Sequence, residues 1–153
     1  VRLVEAALER LLAILLPVLL LALVGLTLAQ VSLRYLAGGS LAWAEEAAIV
    51  LMICLAWGGV ALLWLRDQHI GIDWLPEQLS PRGREVLMGG VDVLAIAAGA
   101  ALAVAAEGTV AVYWDLDLLA LGMPAAVKYL PVQIGAALLA VAATLRLLRR
   151  LRA

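Results

Sequence analysis

Few side chains in this sequence could do chemistry, and they are scattered. Residues 34–46 read RYLAGGSLAWAEE and bring Arg34, Tyr35, Trp43, Glu45 and Glu46 into one short break between apolar runs. Asp92 stands inside an apolar run, and His69, the only histidine, stands in RDQHIGIDW. An ionisable residue within a membrane span is costly and therefore suggests function, so Asp92 could relay a proton or a cation. A relay needs a partner at similar depth, and none is evident in the other runs. Two blander readings place Asp92 near the cytoplasmic interface or against a polar group of another subunit. Glu45 and Glu46 carry a bland reading as well, because negative charge in the opening turns of a helix suits the positive end of its dipole. Arg34 then caps the end of the preceding helix, and Trp43 anchors it at an interface.

Other chemistries lack their residues. A single histidine excludes bis-histidine haem ligation within the chain, and a single cysteine, Cys54, excludes an intramolecular disulfide, a CxxC pair or a cysteine-based zinc site. No GxxxxGK[ST], HExxH or GxSxG occurs, so nucleotide hydrolysis, zinc proteolysis and esterase chemistry have no motif to support them. The sequence points to no catalytic residue, cofactor or metal site.

The elements that position these side chains follow from composition. Of 153 residues, 66% are hydrophobic and 15% charged, with no Phe, and the mean hydropathy is +1.07. An ordinary soluble domain carries about 25% charged residues. A soluble fold could not hide this much Leu, Ala, Val and Ile, so the expectation is an all-α integral membrane protein, residues 1–153 forming one four-helix domain. The spans run from about Leu11 to Leu33, Ala47 to Leu65, Pro81 to Ala106 and Tyr129 to Leu148. None alternates polar and apolar residues as a barrel strand would. The first run is also too long for the apolar core of a signal peptide, which is about 7–15 residues.

Nine of the eleven Lys and Arg residues fall at the two termini and in the loop between spans two and three, against Arg34 and Lys128 elsewhere. By the positive-inside rule the termini and central loop are cytoplasmic. Ser80-Pro81 has the chemistry of a helix start. Small residues recur at helical spacing, Ala95, Gly99 and Ala103 in the third span and Ala136, Ala140 and Thr144 in the fourth, which suits close packing of helix backbones. Abundant Ala makes such stripes by chance too. Between the spans, DWLPEQLSPRGRE fits a short interfacial helix. EGTVAVYWDLDLLALGMPAAVK, from Glu107 onward, reads as an outer loop too apolar for free solvation.

Taken together and in order, four motifs resemble a known family. RY after the first span, WAEE opening the second, HIGID after it, and LGMP before a fourth span that starts KYLP are similar to the small membrane subunit (Q subunit) of tripartite ATP-independent periplasmic (TRAP) transporters. The resemblance covers nearly the whole chain. It implies a multi-pass subunit of a bacterial or archaeal cell membrane, the inner membrane in Gram-negative cells, with no catalysis of its own. It further implies two partners: a large multispan subunit that carries an organic anion, commonly a carboxylate, inward with sodium, and a periplasmic substrate-binding protein. Substrate and sodium sites would lie in those chains. Carried over, Arg34, Tyr35, Trp43, Glu45 and Glu46 match the outward-facing motif, expected to fix the outer loop and border the docking surface. His69, Gly71 and Asp73 match the cytoplasmic one. Two rivals remain: a self-sufficient proton-coupled exporter, which needs a carboxylate well inside a span, and a membrane anchor for a redox complex, for which the chain lacks the histidines haem requires but for which a quinone site stays open.

Overall fold

The computed structural model describes residues 2–36, 38, 39, 41–66, 79–118 and 120–151. They form four long helices: α1, Arg2–Leu36; α2, Ala42–Leu65; α3, Pro81–Tyr113; and α4, Leu130–Leu151, preceded by a 3-10 turn at Ala125–Lys128. All four are long and apolar enough to cross a membrane. The only strand-like feature among the described residues is one isolated bridge, Asp117 to Pro124.

Helix ends differ from the expected spans for one physical reason. Hydropathy finds where the hydrocarbon stops, whereas a helix continues until its backbone bonds run out. Thus α2 begins at Ala42, taking Trp43, Glu45 and Glu46 into its first turns, with no side-chain cap from Leu41. Toward the α3–α4 connection, α3 does not stop at Ala106. Nothing in EGTVAVY breaks a helix, so Glu107 to Tyr113 extend α3 by almost two turns, and the expected outer loop starts at Trp114. The start of α3 is set as its residues require: Ser80 Oγ accepts the Gly83 N–H at 3.3 Å, and Pro81 occupies the first turn, where no N–H is needed. In α1, Pro17 removes one backbone hydrogen bond without ending the helix, a loss that long membrane helices tolerate.

Extended helix contacts run from α1 to α2, from α2 to α4 and from α4 to α3. Among the described residues no extended contact joins α1 to α3. The four helices therefore lie side by side in the order α1–α2–α4–α3, and α4 sits between two neighbours. Its buried residues are mostly small, Gly135, Ala136, Ala142 and Ala143 with Leu139, and they let it lie close to both. A Cβ on Gly135 would overlap Trp57 of α2. One on Gly99 of α3 would meet the Ala136 carbonyl oxygen at 2.8 Å and the Ala140 nitrogen at 3.0 Å. Leu12, Ala61, Trp64, Leu65 and Ala95 complete the shared core. Even the inner helices keep an exposed face: Met52 of α2 and Ile134 of α4 are each 57% exposed.

Because the atoms facing Gly99 are backbone, they cannot step aside. Gly99→Ala is expected to cost about 1–3 kcal/mol, read as a lower thermal midpoint of the detergent-purified chain. Gly25→Ala in α1, with nothing within 4 Å of the added carbon, should leave that midpoint level or slightly higher, since Ala favours the helix over Gly.

Candidate functional site: two polar layers at the helix ends

Polar side chains gather in two layers. At the end of the row that holds both termini, Asp92 of α3 is 0% exposed and lies 3.4 Å from Nη1 of Arg146 and 3.1 Å from Nε of Arg150, both on α4. Trp64 of α2 donates its indole N–H to Asp92 Oδ1 at 3.1 Å. The Arg146 guanidinium also stands 5.4 Å from the centre of the Trp64 ring, a cation–π distance. One carboxylate thus ties three helices. Beside it Glu5 of α1 meets Arg149 of α4 at 3.0 Å, and Glu9 of α1 meets Arg66 at the end of α2 at 2.9 Å. All four helices are joined by charge at this end.

This corrects the expectation that Asp92 lacks a partner in the chain. Its partners are arginines of the fourth helix, residues whose number and position the sequence presents as a topology signal. The antiparallel register of α3 and α4 brings them level with it. A relay group must exchange a proton or ion with water or substrate. Asp92 is instead sealed from solvent, with two guanidiniums and an indole N–H on its two oxygens.

The opposite end is more open. Gln30 of α1 donates to Glu45 Oε1 at 3.4 Å, and Arg34 stands 3.9 Å from the same oxygen, with both ionic side chains more than half exposed. An exposed pair of this kind contributes about 0–1 kcal/mol. Glu46, its neighbour, does something different: its Oε2 accepts the backbone N–H of Leu121, tying α2 to the α3–α4 connection. That connection is itself built. Leu118 donates to Met123 and accepts from Gly122, whose φ of 60° suits glycine, while Leu118 and Ala126 are buried. Tyr113 and Tyr129 close it with rings 4.8 Å apart. The adjacent glutamates thus hold different elements. Tyr35 is 80% exposed, and Trp43 is also exposed, so neither is fixed by packing within the chain.

The spacing of the two layers is regular. Glu9 to Gln30, Glu45 to Arg66, Asp92 to Tyr113 and Tyr129 to Arg150 are each 21 residues apart in the sequence, or about 32 Å at about 1.5 Å per residue. The hydrocarbon layer of a bilayer is about 30 Å thick. Between the layers Thr27 and Thr144 bond carbonyls of their own helices, and the one acidic side chain there is Glu107 of α3, which is exposed.

Other sequence candidates are placed as follows. Ala95 and Gly99 are buried on the face of α3 toward α4, and Ala103 is half-buried farther along it. His69, Gly71 and Asp73, with the proposed interfacial helix around Trp74, lie outside the described residues. Among the described residues no group of three or more His, Cys, Asp or Glu could hold a metal ion. Sequence reasoning missed Glu107, because it ended the span at the first charge, and it missed the Glu46 tie, which ends on a backbone amide that leaves no mark in a sequence.

If Asp92 is the common anchor, Asp92→Ala should destabilise the chain by about 3 kcal/mol, near the low end for stripping one partner from a buried ion pair, since Arg150 is partly exposed. Glu9→Gln, at a half-exposed pair, should cost under about 1 kcal/mol. Thermal or SDS unfolding of the purified chain measures both.

With this geometry in hand, comparison with known proteins adds a family. No curated protein matched the chain. The family described as "Tripartite ATP-independent periplasmic transporters, DctQ component" matches residues 23–153, which spans α2, α3, α4 and the last part of α1 and so includes most of both polar layers. The chain therefore belongs to the DctQ-component family and is the small membrane subunit of a TRAP transporter, a component of the prokaryotic inner membrane.

Proposed function

We propose that this subunit carries no solute itself. It stands as a row of helices beside the large transport subunit and helps receive the periplasmic substrate-binding protein, during sodium-coupled uptake of an organic anion of the carboxylate class. Sodium and substrate sites belong to the other chains, and this one has no enzymatic step. The observation that carries this reading is the distribution of charged side chains: apart from Glu107 of α3, those of the four helices gather in two layers about 32 Å apart by helix rise, and the most buried of them, Asp92, is occupied by its own arginines. A solute path through a membrane needs polar groups along its depth. The excess of Lys and Arg at the terminal end supports a cytoplasmic position for that end. The other layer then faces the periplasm.

On this reading Arg34, Tyr35, Trp43, Glu45 and Glu46 border the docking surface, and they also fix the outer loops. Glu45 tests docking most cleanly, because its partners in the chain are exposed and weak. Glu45→Lys should slow uptake by the intact transporter about tenfold, as expected for a rim charge that acts through association rate. Copurification with the large subunit should be unchanged. Uptake at the wild-type rate would contradict the docking role, and failure of the wild-type chain to copurify with a large multispan subunit would contradict the proposal as a whole.

A further inference from the structure

The connection between α3 and α4 spends hydrogen bonds on its own shape and leaves large apolar side chains outside. Leu118 donates its N–H to the Met123 carbonyl and Ala125 donates to that of Leu116, so the backbone near residues 116–118 pairs with that near 123–125 across a tight turn. Leu118 and Ala126 are buried. Yet Trp114 is 55%, Leu116 51% and Met123 45% exposed. A turn that only joined two helices would need no such side chains. Large apolar groups gathered on a fixed backbone mark a contact surface.

Charge narrows the occupant. Asp115 and Asp117 are exposed on either side of Leu116 in the chain and form no ion pair among the described residues. Sinking Leu116 into lipid would carry two carboxylates toward phosphate and hydrocarbon, which is costly. This end of the row also holds Glu45 and Glu46 against Arg34 and Lys128, so a second copy would set acid against acid. The connection lies past Tyr113, at the end of the helix row, whereas a helix of the large subunit would lie along its faces or edges. What fits is a protein in the aqueous phase that offers an apolar recess ringed by Lys or Arg, matching an apolar centre with a charged rim.

We infer that the α3–α4 connection is the seat of the periplasmic binding protein on this chain, with Trp114, Leu116 and Met123 in contact and Glu46 as the positioning residue. Glu46 Oε2 accepts the Leu121 N–H at 3.1 Å, the one side-chain hydrogen bond among the described residues that reaches the connection. It comes from the helix that carries Glu45, and so holds the connection and Glu45 in a single surface. The inference rests on the function proposed above, in which this end faces the periplasm and receives that protein, and adds the element and residues that do so.

Uptake by the complete reconstituted transporter, measured against the concentration of its binding protein loaded with a radiolabelled organic anion, tests it. Glu46→Ala should raise the half-saturating concentration about fivefold, the scale of one net hydrogen bond, with the maximal rate unchanged. Glu46→Gln keeps an acceptor for Leu121 and should restore the wild-type value. A general structural defect would lower the maximal rate, and a direct charge contact would not be rescued by Gln. Trp114→Ala and Met123→Ala should each raise half-saturation several-fold and Leu116→Asp by more than about tenfold, because apolar anchors carry most of a contact. A photoreactive benzoylphenylalanine at position 116 should cross-link to the binding protein. Unchanged half-saturation in the Trp114 and Met123 variants, no rescue by Gln, or a cross-link to the large subunit, a second copy or lipid alone would each overturn the assignment. A shift with Glu45→Lys alone would keep the docking reading and remove the connection from it. Wild-type uptake that ignores the binding protein would overturn the proposed function instead.

Discussion

Charge cannot rest alone in hydrocarbon, and in this subunit that constraint decides where almost every polar group goes. Asp92 is the clearest instance. A carboxylate with no exposure to solvent is tolerable only if its surroundings supply hydrogen bonds and opposite charge, and here Trp64 donates to it while Arg146 and Arg150 pair with it by charge, from two other helices. Because the arginines are on α4 and the indole on α2, satisfying one carboxylate fixes the relative depth of three helices. The Glu5–Arg149 and Glu9–Arg66 pairs bring α1 into the same layer. Apolar packing alone would leave the helices free to slide, since lipid tails are as apolar as the side chains they would replace.

From that fixed end the row is assembled by close approach. Small residues on α4 let it lie between α2 and α3, with Trp57 laid over Gly135 and Ala136 and Ala140 against Gly99. A row has edges and two faces where a closed bundle has a sealed interior. Much apolar surface is therefore left outside, and a membrane component of a multi-subunit transporter has two materials to cover it, lipid and protein. The α3–α4 connection completes the structure at the other end, where Glu46 holds Leu121 and the Tyr113–Tyr129 pair closes the turn.

Much of this was legible in the residues. Four spans follow from hydropathy, the helix start at Ser80-Pro81 from its capping chemistry, and the family from motifs in RYLAGGSLAWAEE and LGMP; each is a local property. What escaped was relational. Asp92 looks unpartnered in a linear reading because Arg146 and Arg150 are more than fifty positions away, and only the register of α3 against α4 makes them neighbours. Glu45 and Glu46 look like one feature, yet helix geometry turns adjacent side chains about 100° apart, so one reaches α1 and the other the α3–α4 connection. The end of α3 was misplaced because a charge was taken for a boundary, and that hid Glu107.

On the proposed function, the polar groups of this chain support a transporter and do not form one. Reconstituting the purified subunit alone into sealed liposomes, with a sodium gradient and radiolabelled organic anions presented with their binding protein, decides the matter. No accumulation above protein-free vesicles is predicted, with uptake appearing once the large subunit is added. Sustained, gradient-dependent accumulation by this chain alone would contradict it.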